Sequence, residues 1–292
     1  MSAGEFYKVN TVILGGDMTG KAVVPIVKQA DGSYTSNFLG RNWRLFDEKS
    51  LREHENLIVD AGWYVYETNP EEVEDLKQNK ERVAEIFRQK VIERIREWIA
   101  IAETNLKPKN RTIIVTPGND DQRFTDEIIA QSDVVINTEG KIVDLDGHHE
   151  MLSSGWSNPT PWSTPRECSE EELTKKIDDM ASKIKNMKNS IFSLHVPPLG
   201  SGLDIAPKLS HDLQISASGE TASVGSTAVL NAIQRYQPML GLHGHVHEAM
   251  GTRKIGRTIC VNPGSNYTEG LLNGVLIALD DKEVKSTVFT SG

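Results

Sequence analysis

Short runs of β-branched and aliphatic residues alternate along this chain with longer stretches whose apolar residues recur every three or four positions. This is the pattern of strands interleaved with helices. Val9–Leu14 is the first run; it ends in Gly15-Gly16-Asp17 and reads as a buried strand with a carboxylate at its C-terminal end. Val23–Val27 and Tyr34–Leu39, joined through Ala30-Asp31-Gly32-Ser33, read as a hairpin on an Asp-Gly turn, an insertion over 23–46 that forms a flap after Asp17. From Glu71 to Leu106 one long helix is predicted, started by Asn69-Pro70 and stopped by Lys107-Pro108. Val83, Ile86, Phe87, Val91, Ile95, Trp98, Ile99 and Ala102 form its apolar stripe, and charged residues such as Glu81 and Arg96 its solvated face.

Arg111–Thr116 is the next strand, closed by Pro117-Gly118-Asn119-Asp120-Asp121. Val134–Asn137 and Lys141–Leu145 read as a further pair of strands. Residues 146–167 read as one long loop of the kind that carries function, with Trp156, Trp162 and Arg166 placing it on the substrate side. Ser169 with Glu172 makes a capping box for a helix whose stripe is Leu173, Ile177, Met180, Ile184 and Met187. Ser190–Leu194 then delivers His195, and the Gly/Ser-rich segment 200–224 loops over the same end. A helix through Ala228, Val229, Ala232, Ile233 and Tyr236 feeds the strand Gln237–Leu242, which runs into His243-Gly244-His245-Val246-His247. Arg257–Val261, Gly274–Leu279 and Val284–Thr290 finish as strands. The alternation predicts an α/β fold, and 292 residues fit one large domain as well as two small ones.

Three of the eight histidines fall within five residues, which makes that stretch the first candidate for chemistry. Side chains two apart on a strand stand ~6.6 Å apart. That is too far for one ion with bonds of ~2.0–2.1 Å, unless Gly244 bends the chain, but it suits two neighbouring ions ~3.5–4 Å apart. Alone, a turn Asp, a solvated strand end or a structural His each has an ordinary explanation. Together, Asp17, Asn119, His195, and His245 with His247 put oxygen and nitrogen donors at four strand ends, where open α/β sheets bind their ligands.

Composition narrows the partners. A net charge of −9 argues against non-specific nucleic-acid binding, which runs on clustered Lys and Arg. Cys168 and Cys260 lie far apart without metal-ligand spacing and read as reduced thiols of a cytoplasmic protein. No apolar run approaches the ~20 residues of a membrane span, and the N-terminus has no secretory h-region. One competing motif remains. Gly15-Gly16-Asp17-Met18-Thr19-Gly20-Lys21 fits the G-x-x-x-x-G-K of a P-loop NTPase. Against it, Ala22 stands at the Mg²⁺-binding Ser/Thr position, and Val23-Val24-Pro25-Ile26-Val27 favours a strand where a helix is required.

The ordered set of strand ends resembles the calcineurin-like metallophosphoesterase family, and the resemblance runs over nearly the whole chain. The family's signatures are D-x-H, G-D-x-x-D, G-N-H-[D/E], a lone His and G-H-x-H. Gly16-Asp17 is similar to the second, Gly118-Asn119 to the third, His195 to the fourth and Gly244-His245-x-His247 to the fifth. Asn262-Pro263-Gly264-Ser265 is similar to the segment after the last motif in many members. The resemblance implies a single domain over residues 1–292, a four-layer αββα sandwich of two mixed β-sheets flanked by helices. It implies two divalent ions, Mn, Fe or Zn, bridged by Asp17. One ion would take Asp17, Asn119, His195 and His245, and the other Asp17, His247 and the first motif. It further implies hydrolysis of a phosphomonoester or phosphodiester, from a small phosphorylated substrate or a nucleotide, by a hydroxide generated at the ions.

Three departures accompany it. No D-x-H precedes Val9, Gly20 stands at the last acid of the second motif, and Asp120 replaces the family's catalytic His. The chain is therefore expected to begin inside the fold, short of a strand, a D-x-H turn and most of a helix, on the order of 15–25 residues. Neither Asp60, His54, His148, His149 nor His211 sits at a strand end that could replace the missing ligands. A non-catalytic metal- or ligand-binding protein on the same scaffold is the remaining alternative.

Overall fold

Helix α1, Ser2–Phe6, turns at Lys8 directly into strand β1, Thr11–Leu14, and Gly4 packs against Val12. The computed structural model describes residues 2–106, 111–209 and 219–292. Two compact units emerge: Met1–Met18, Trp98–Ser265 and Leu272–Gly292 form one, Thr19–Glu97 with Asn266–Leu271 the other.

The second unit is built on a four-stranded sheet of order β4-β3-β2-β5. Its β2, Val23–Lys28, and β3, Tyr34–Phe38, are the expected hairpin, turned where the Asp31 carboxylate accepts from Ser33 N at 3.0 Å. β4, Arg41–Leu45, and β5, Tyr64–Thr68, extend that hairpin on either side. Between them runs α2, Glu48–Asp60, capped by Asp47, whose Ile58 closes a core with Val24, Ile26 and Phe38. The single helix expected over Glu71–Leu106 is two: α3, Pro70–Gln78, and α4, Lys80–Leu106. Asn79 makes the break. Its N–H donates to Asp75 O at 2.9 Å while its side chain accepts from Arg82 N at 3.0 Å, so one residue ends one helix and caps the next. The predicted stop at 107–108 lies outside the described residues.

In the first unit, β1, β6 (Thr112–Val115) and β7 (Val135–Asn137) pair in parallel, with α5, Thr125–Ile129, packed against β7. The strands expected as a pair over 134–145 do not pair with each other. At Thr138 the chain crosses to a second sheet, where β8, Lys141–Asp144, lies antiparallel to β9, Glu150–Ser154. β9 falls inside the stretch expected as one loop, and its Ser153 and Ser154 are buried.

Helix α6, Glu170–Ala181, begins at the predicted Ser169 cap and precedes β10, Ile191–Leu194. A small ribbon, β11 (Ile205–Pro207) with β12 (Thr221–Ser223), occupies the Gly/Ser-rich segment, of which 210–218, including His211, lies outside the described residues. Then come α7, Thr227–Tyr236, β13, Leu240–Leu242, and the pair β14, Gly251–Ile255, and β15, Thr258–Asn262. The second sheet has the order β14-β15-β13-β10-β9-β8, parallel in its centre and antiparallel at both edges. A hairpin of β16, Asn273–Leu279, and β17, Val284–Ser291, completes the chain.

Alternation along the strands sorts the side chains to two faces. Leu152, Phe192, Leu194 and Cys260 pack on Leu173 and Ile177 of α6 and Val229 and Ile233 of α7. Met151, Ile191, Leu240 and Val261 point the other way, onto Ile13 and Ile114 of the parallel sheet and Val275 and Ile277 of the hairpin. With α1 beside β1 and α5 beside β7, the order of layers is αββα. No helix among the described residues is long and apolar enough to cross a membrane. Phe192 has no exposed surface and belongs to the core between the larger sheet and α6 and α7. Phe192→Ala is expected to cost about 3–5 kcal/mol of stability, measured as the shift of the urea unfolding midpoint; a loss below about 1 kcal/mol would contradict this packing.

Candidate metal centre

β1 and β6 lie side by side, Leu14 opposite Val115, so the turns at their ends leave the same edge of their sheet. β10 and β13 are neighbours in the facing sheet, Ser193 opposite Leu242, and deliver His195 and His245. The four turns meet. His195 Nε2 lies 3.0 Å from Asp17 Oδ2 and 3.1 Å from Asn119 Oδ1, and His245 Nδ1 lies 2.8 Å from the same Asn119 oxygen. Asp17, His195 and His245 offer ligand atoms that all fall within 4.8 Å of one another, the only such group among the described residues. His247 is not part of it. Asp120 contributes its backbone N–H, donated to Asp17 Oδ1 at 3.0 Å, and its side chain is half-buried.

The local backbone explains why these residues stand where they do. Asp17 and His245 both have left-handed backbone, φ 51° and 64°, a conformation Asp and His tolerate better than most residues. Gly118 lies against Asp17 so closely that a Cβ there would sit 2.2 Å from Asp17 Oδ1 and 2.4 Å from Asp17 N. The buried Asp121 joins the two turns, accepting from Met18 N at 2.9 Å and from Gly118 N at 2.8 Å. On the histidine side Gly244 N donates to His195 O at 2.8 Å, and Asn262 Nδ2 donates to the carbonyls of Leu203, Gly244 and Val246.

Arg166, expected to face substrate, is buried instead. It binds Asp126 and the carbonyls of Asp121 and Gln122, and so holds the Asn119 turn in place. Trp162 is 60% exposed, whereas Trp156 lies between the cations of Arg123 and Lys176. His149 is buried on Asp146 and His54 is buried in the other unit. The P-loop alternative meets a strand: after Lys21 the chain enters β2, so no helix N-terminus is there to receive a phosphate. Two contacts of the site join residues far apart in sequence, Asp121 to Met18 N across 103 positions and Thr164 to Asn119 across 45, and no local pattern reveals them.

Charge is set by this geometry. His195 has three acceptors around its ring: Gly15 O at 2.8 Å from Nδ1, and the Asp17 and Asn119 oxygens at Nε2. Burial works against its charged form, yet the Asp17 carboxylate outweighs burial and raises His195 to about 9. Burial likewise favours a neutral Asp17, and the charge and hydrogen bond of His195 hold it well below the usual carboxylate range instead. Burial and the neighbouring His195 push His245 down to about 4, so it is neutral. The proton on His195 Nε2 satisfies oxygens that a divalent cation could satisfy in its stead, and the Gly15 carbonyl holds the opposite nitrogen as metal-ligating imidazoles are usually held. The donor set fits such an ion.

The molecule is thus a mixed α/β protein with an Asp-His-His group at its strand ends, His195 buried and Asp17 and His245 half-buried. No family model matches the chain. It is 31% identical over 173 residues to the uncharacterized protein MJ1162 of Methanocaldococcus jannaschii, an alignment covering 58% of this chain and 72% of that protein, and it belongs to the same family. Among solved structures, TT1561 of Thermus thermophilus aligns with 61% of this chain and 73% of its own at 17% identity, with a TM-score of 0.42. The Thermus thermophilus sulfate thiohydrolase SoxB in complex with glycerol aligns with 82% of this chain and 41% of its own at 11% identity, with a TM-score of 0.36.

The packing and the charges each carry an expected outcome. Gly118→Ala must push Asp17 out of place and is expected to abolish divalent-metal binding, whereas Gly244→Ala, whose Cβ would meet nothing nearer than 3.5 Å, is expected to retain it. Equal metal affinity in the two variants, by titration calorimetry, would contradict this arrangement. Below about pH 9 an ion must displace the His195 proton, while Asp17 and His245 have none to lose. Between pH 6.5 and 9 metal uptake is therefore expected to release about one proton, and apparent affinity to rise as much as tenfold per pH unit before levelling off. Calorimetry in buffers of different ionisation enthalpy measures the release, and none at pH 7 would be the contrary result. In the metal-free protein the same raised pKa contributes stability that is complete below pH 6.5 and is lost as pH rises through about 9.

Proposed function

We propose that this chain is a metal-dependent phosphoesterase acting on a phosphomonoester or phosphodiester of a small phosphorylated substrate or nucleotide. The observation that carries the reading is the convergence of Asp17, Asn119, His195 and His245 from four strand ends onto one point, with Asn119 and His195 buried and Asp17 and His245 half-buried. A set of one carboxylate, one amide oxygen and two imidazoles suits Mn, Fe or Zn better than a thiolate-preferring ion. A bound ion would supply Lewis-acid polarisation of a phosphoryl oxygen and would acidify a water toward neutral pH.

The remaining work belongs to the protein. One carboxylate among four donors leaves much of a dication's charge unneutralised, which favours an anionic ester over a neutral substrate. Gly15 O binds the Nδ1–H of His195 and keeps Nε2 aimed at the site. Asp120 N–H holds Asp17 Oδ1, and the Asp120 side chain belongs to that same residue, in the position the resemblance assigns to a catalytic His. In this reading His247 and Asp17 serve a second ion.

Asn119→Ala, His195→Ala and His245→Ala are each expected to lower bound metal and to reduce turnover of aryl phosphomonoesters and phosphodiesters by 100-fold or more, on the order of 3 kcal/mol of transition-state stabilisation. Metal content is measured on the purified protein and turnover on the same preparations. Unchanged metal stoichiometry in all three would remove the site assignment. Metal binding with no hydrolysis of any ester would favour the non-catalytic alternative.

A further inference from the structure

Asn119 presents its carbonyl oxygen, not its amide nitrogen, to the two imidazoles. The two ends of a carboxamide have nearly the same shape, so packing alone does not choose between them; hydrogen bonding does. Here Asn119 Nδ2 donates to Thr164 Oγ1 at 2.8 Å. That hydroxyl has a single hydrogen, and it goes to Glu167 Oε1 at 2.6 Å. Thr164 therefore shows Asn119 only lone pairs, which attract an NH₂ group and repel a carbonyl.

Glu167 is held as a pure acceptor. Besides the Thr164 hydroxyl it receives Thr164 N at 2.8 Å, Thr160 N at 3.0 Å and Thr160 Oγ1 at 2.5 Å. Burial would raise its pKa, and these donors instead hold it below the usual range. The loop is anchored independently of this chain of bonds: Arg166 N donates to Asn119 O at 3.1 Å, and Ser157 N to Arg166 O at 3.0 Å. Changing the hydroxyl therefore changes polarity at Asn119 without releasing the loop.

We propose that Thr164, oriented by Glu167, is a positioning residue that fixes which end of Asn119 faces the metal centre. Polarity passes in one direction, from carboxylate to hydroxyl to amide to ion. With the hydroxyl removed only the imidazoles still favour the carbonyl, so a larger share of the amide turns over and presents N–H groups to the cation. This assignment rests on the reading of the site as a metal centre, but the orientation of Asn119 can be tested without metal.

The experiment compares wild type, Thr164→Val, Thr164→Ser and Glu167→Gln in the full chain, with thermal midpoints measured alongside. Hydrogen exchange of the Asn119 side-chain amide, with nuclear Overhauser contacts from its NH₂ to residue 164 or to the imidazoles, is followed by ¹⁵N NMR on metal-free protein and reads the hydrogen bond and the orientation; titration calorimetry with Mn²⁺ reads the consequence. Thr164→Val is expected to speed that exchange at least tenfold and to weaken Mn²⁺ binding 10- to 100-fold, the usual effect of losing an outer-shell partner. Thr164→Ser, which keeps the hydroxyl, is expected to restore both, and Glu167→Gln, whose amide can donate back to the hydroxyl, to behave as Thr164→Val does. Equal Asn119 exchange in wild type and Thr164→Val overturns the proposal, as does a Thr164→Ser that behaves like Thr164→Val. A wild type that binds no Mn²⁺ overturns the phosphoesterase reading instead, and the exchange measurement still decides the role of Thr164.

Discussion

Asp17 and His195 place a carboxylate and an imidazole 3.0 Å apart at the point where two sheets end, with the His195 side chain only 2% exposed. A buried charge is costly unless it is paired and hydrogen-bonded, and removing one partner of such a pair leaves the other uncompensated. Here each partner has its further contacts. Asp17 takes the Asp120 N–H, and His195 gives its second nitrogen to Gly15 O. The same pair that stabilises the metal-free protein is the pair an ion would enter, so folding and binding draw on the same charges. The turns around the pair are tight: a Cβ at Gly118 would sit 2.2 Å from Asp17 Oδ1.

The two sheets exist, in functional terms, to bring these turns together. Each supplies two neighbouring parallel strands, β1 with β6 and β10 with β13, and each strand pair hands over two of the four converging residues. The apolar layer between the sheets, Ile13 and Ile114 against Ile191 and Leu240, sets their separation. Arg166 and Asn262 then fix the turns themselves, one behind Asn119 and the other behind His245. None of the grouped residues comes from the unit Thr19–Glu97, which enters the chain between β1 and β6.

Much of this is legible from residue order alone, because each ligand-bearing strand is an aliphatic run closed by glycine, or by histidine itself, and a polar donor. Strand pairing is not. Val135–Asn137 and Lys141–Asp144 look alike as sequences, yet the Thr138 turn sends them to different sheets. β9 stays hidden because Ser153 and Ser154 are polar although buried, where burial normally reads as apolar. The break at Asn79 carries neither Pro nor Gly, and Asn is unremarkable in a helix until its side chain caps the next one. Arg166 misleads for a related reason: a lone Arg in a loop suggests an anion, and only the fold reveals Asp126 as its partner. The Thr164 contact to Asn119 joins residues 45 apart through side chains alone, which no periodicity records.

The central claim is that one divalent ion binds among Asp17, Asn119, His195 and His245. Anomalous diffraction from crystals soaked in Mn²⁺, with a second data set in Zn²⁺, tests it most directly. The expected result is a peak within about 2.0–2.3 Å of Asp17 Oδ2, Asn119 Oδ1 and one nitrogen of each histidine, the usual range of such bonds. A peak elsewhere on the molecule, or no peak with both histidines and Asp17 in their metal-free positions, would contradict it.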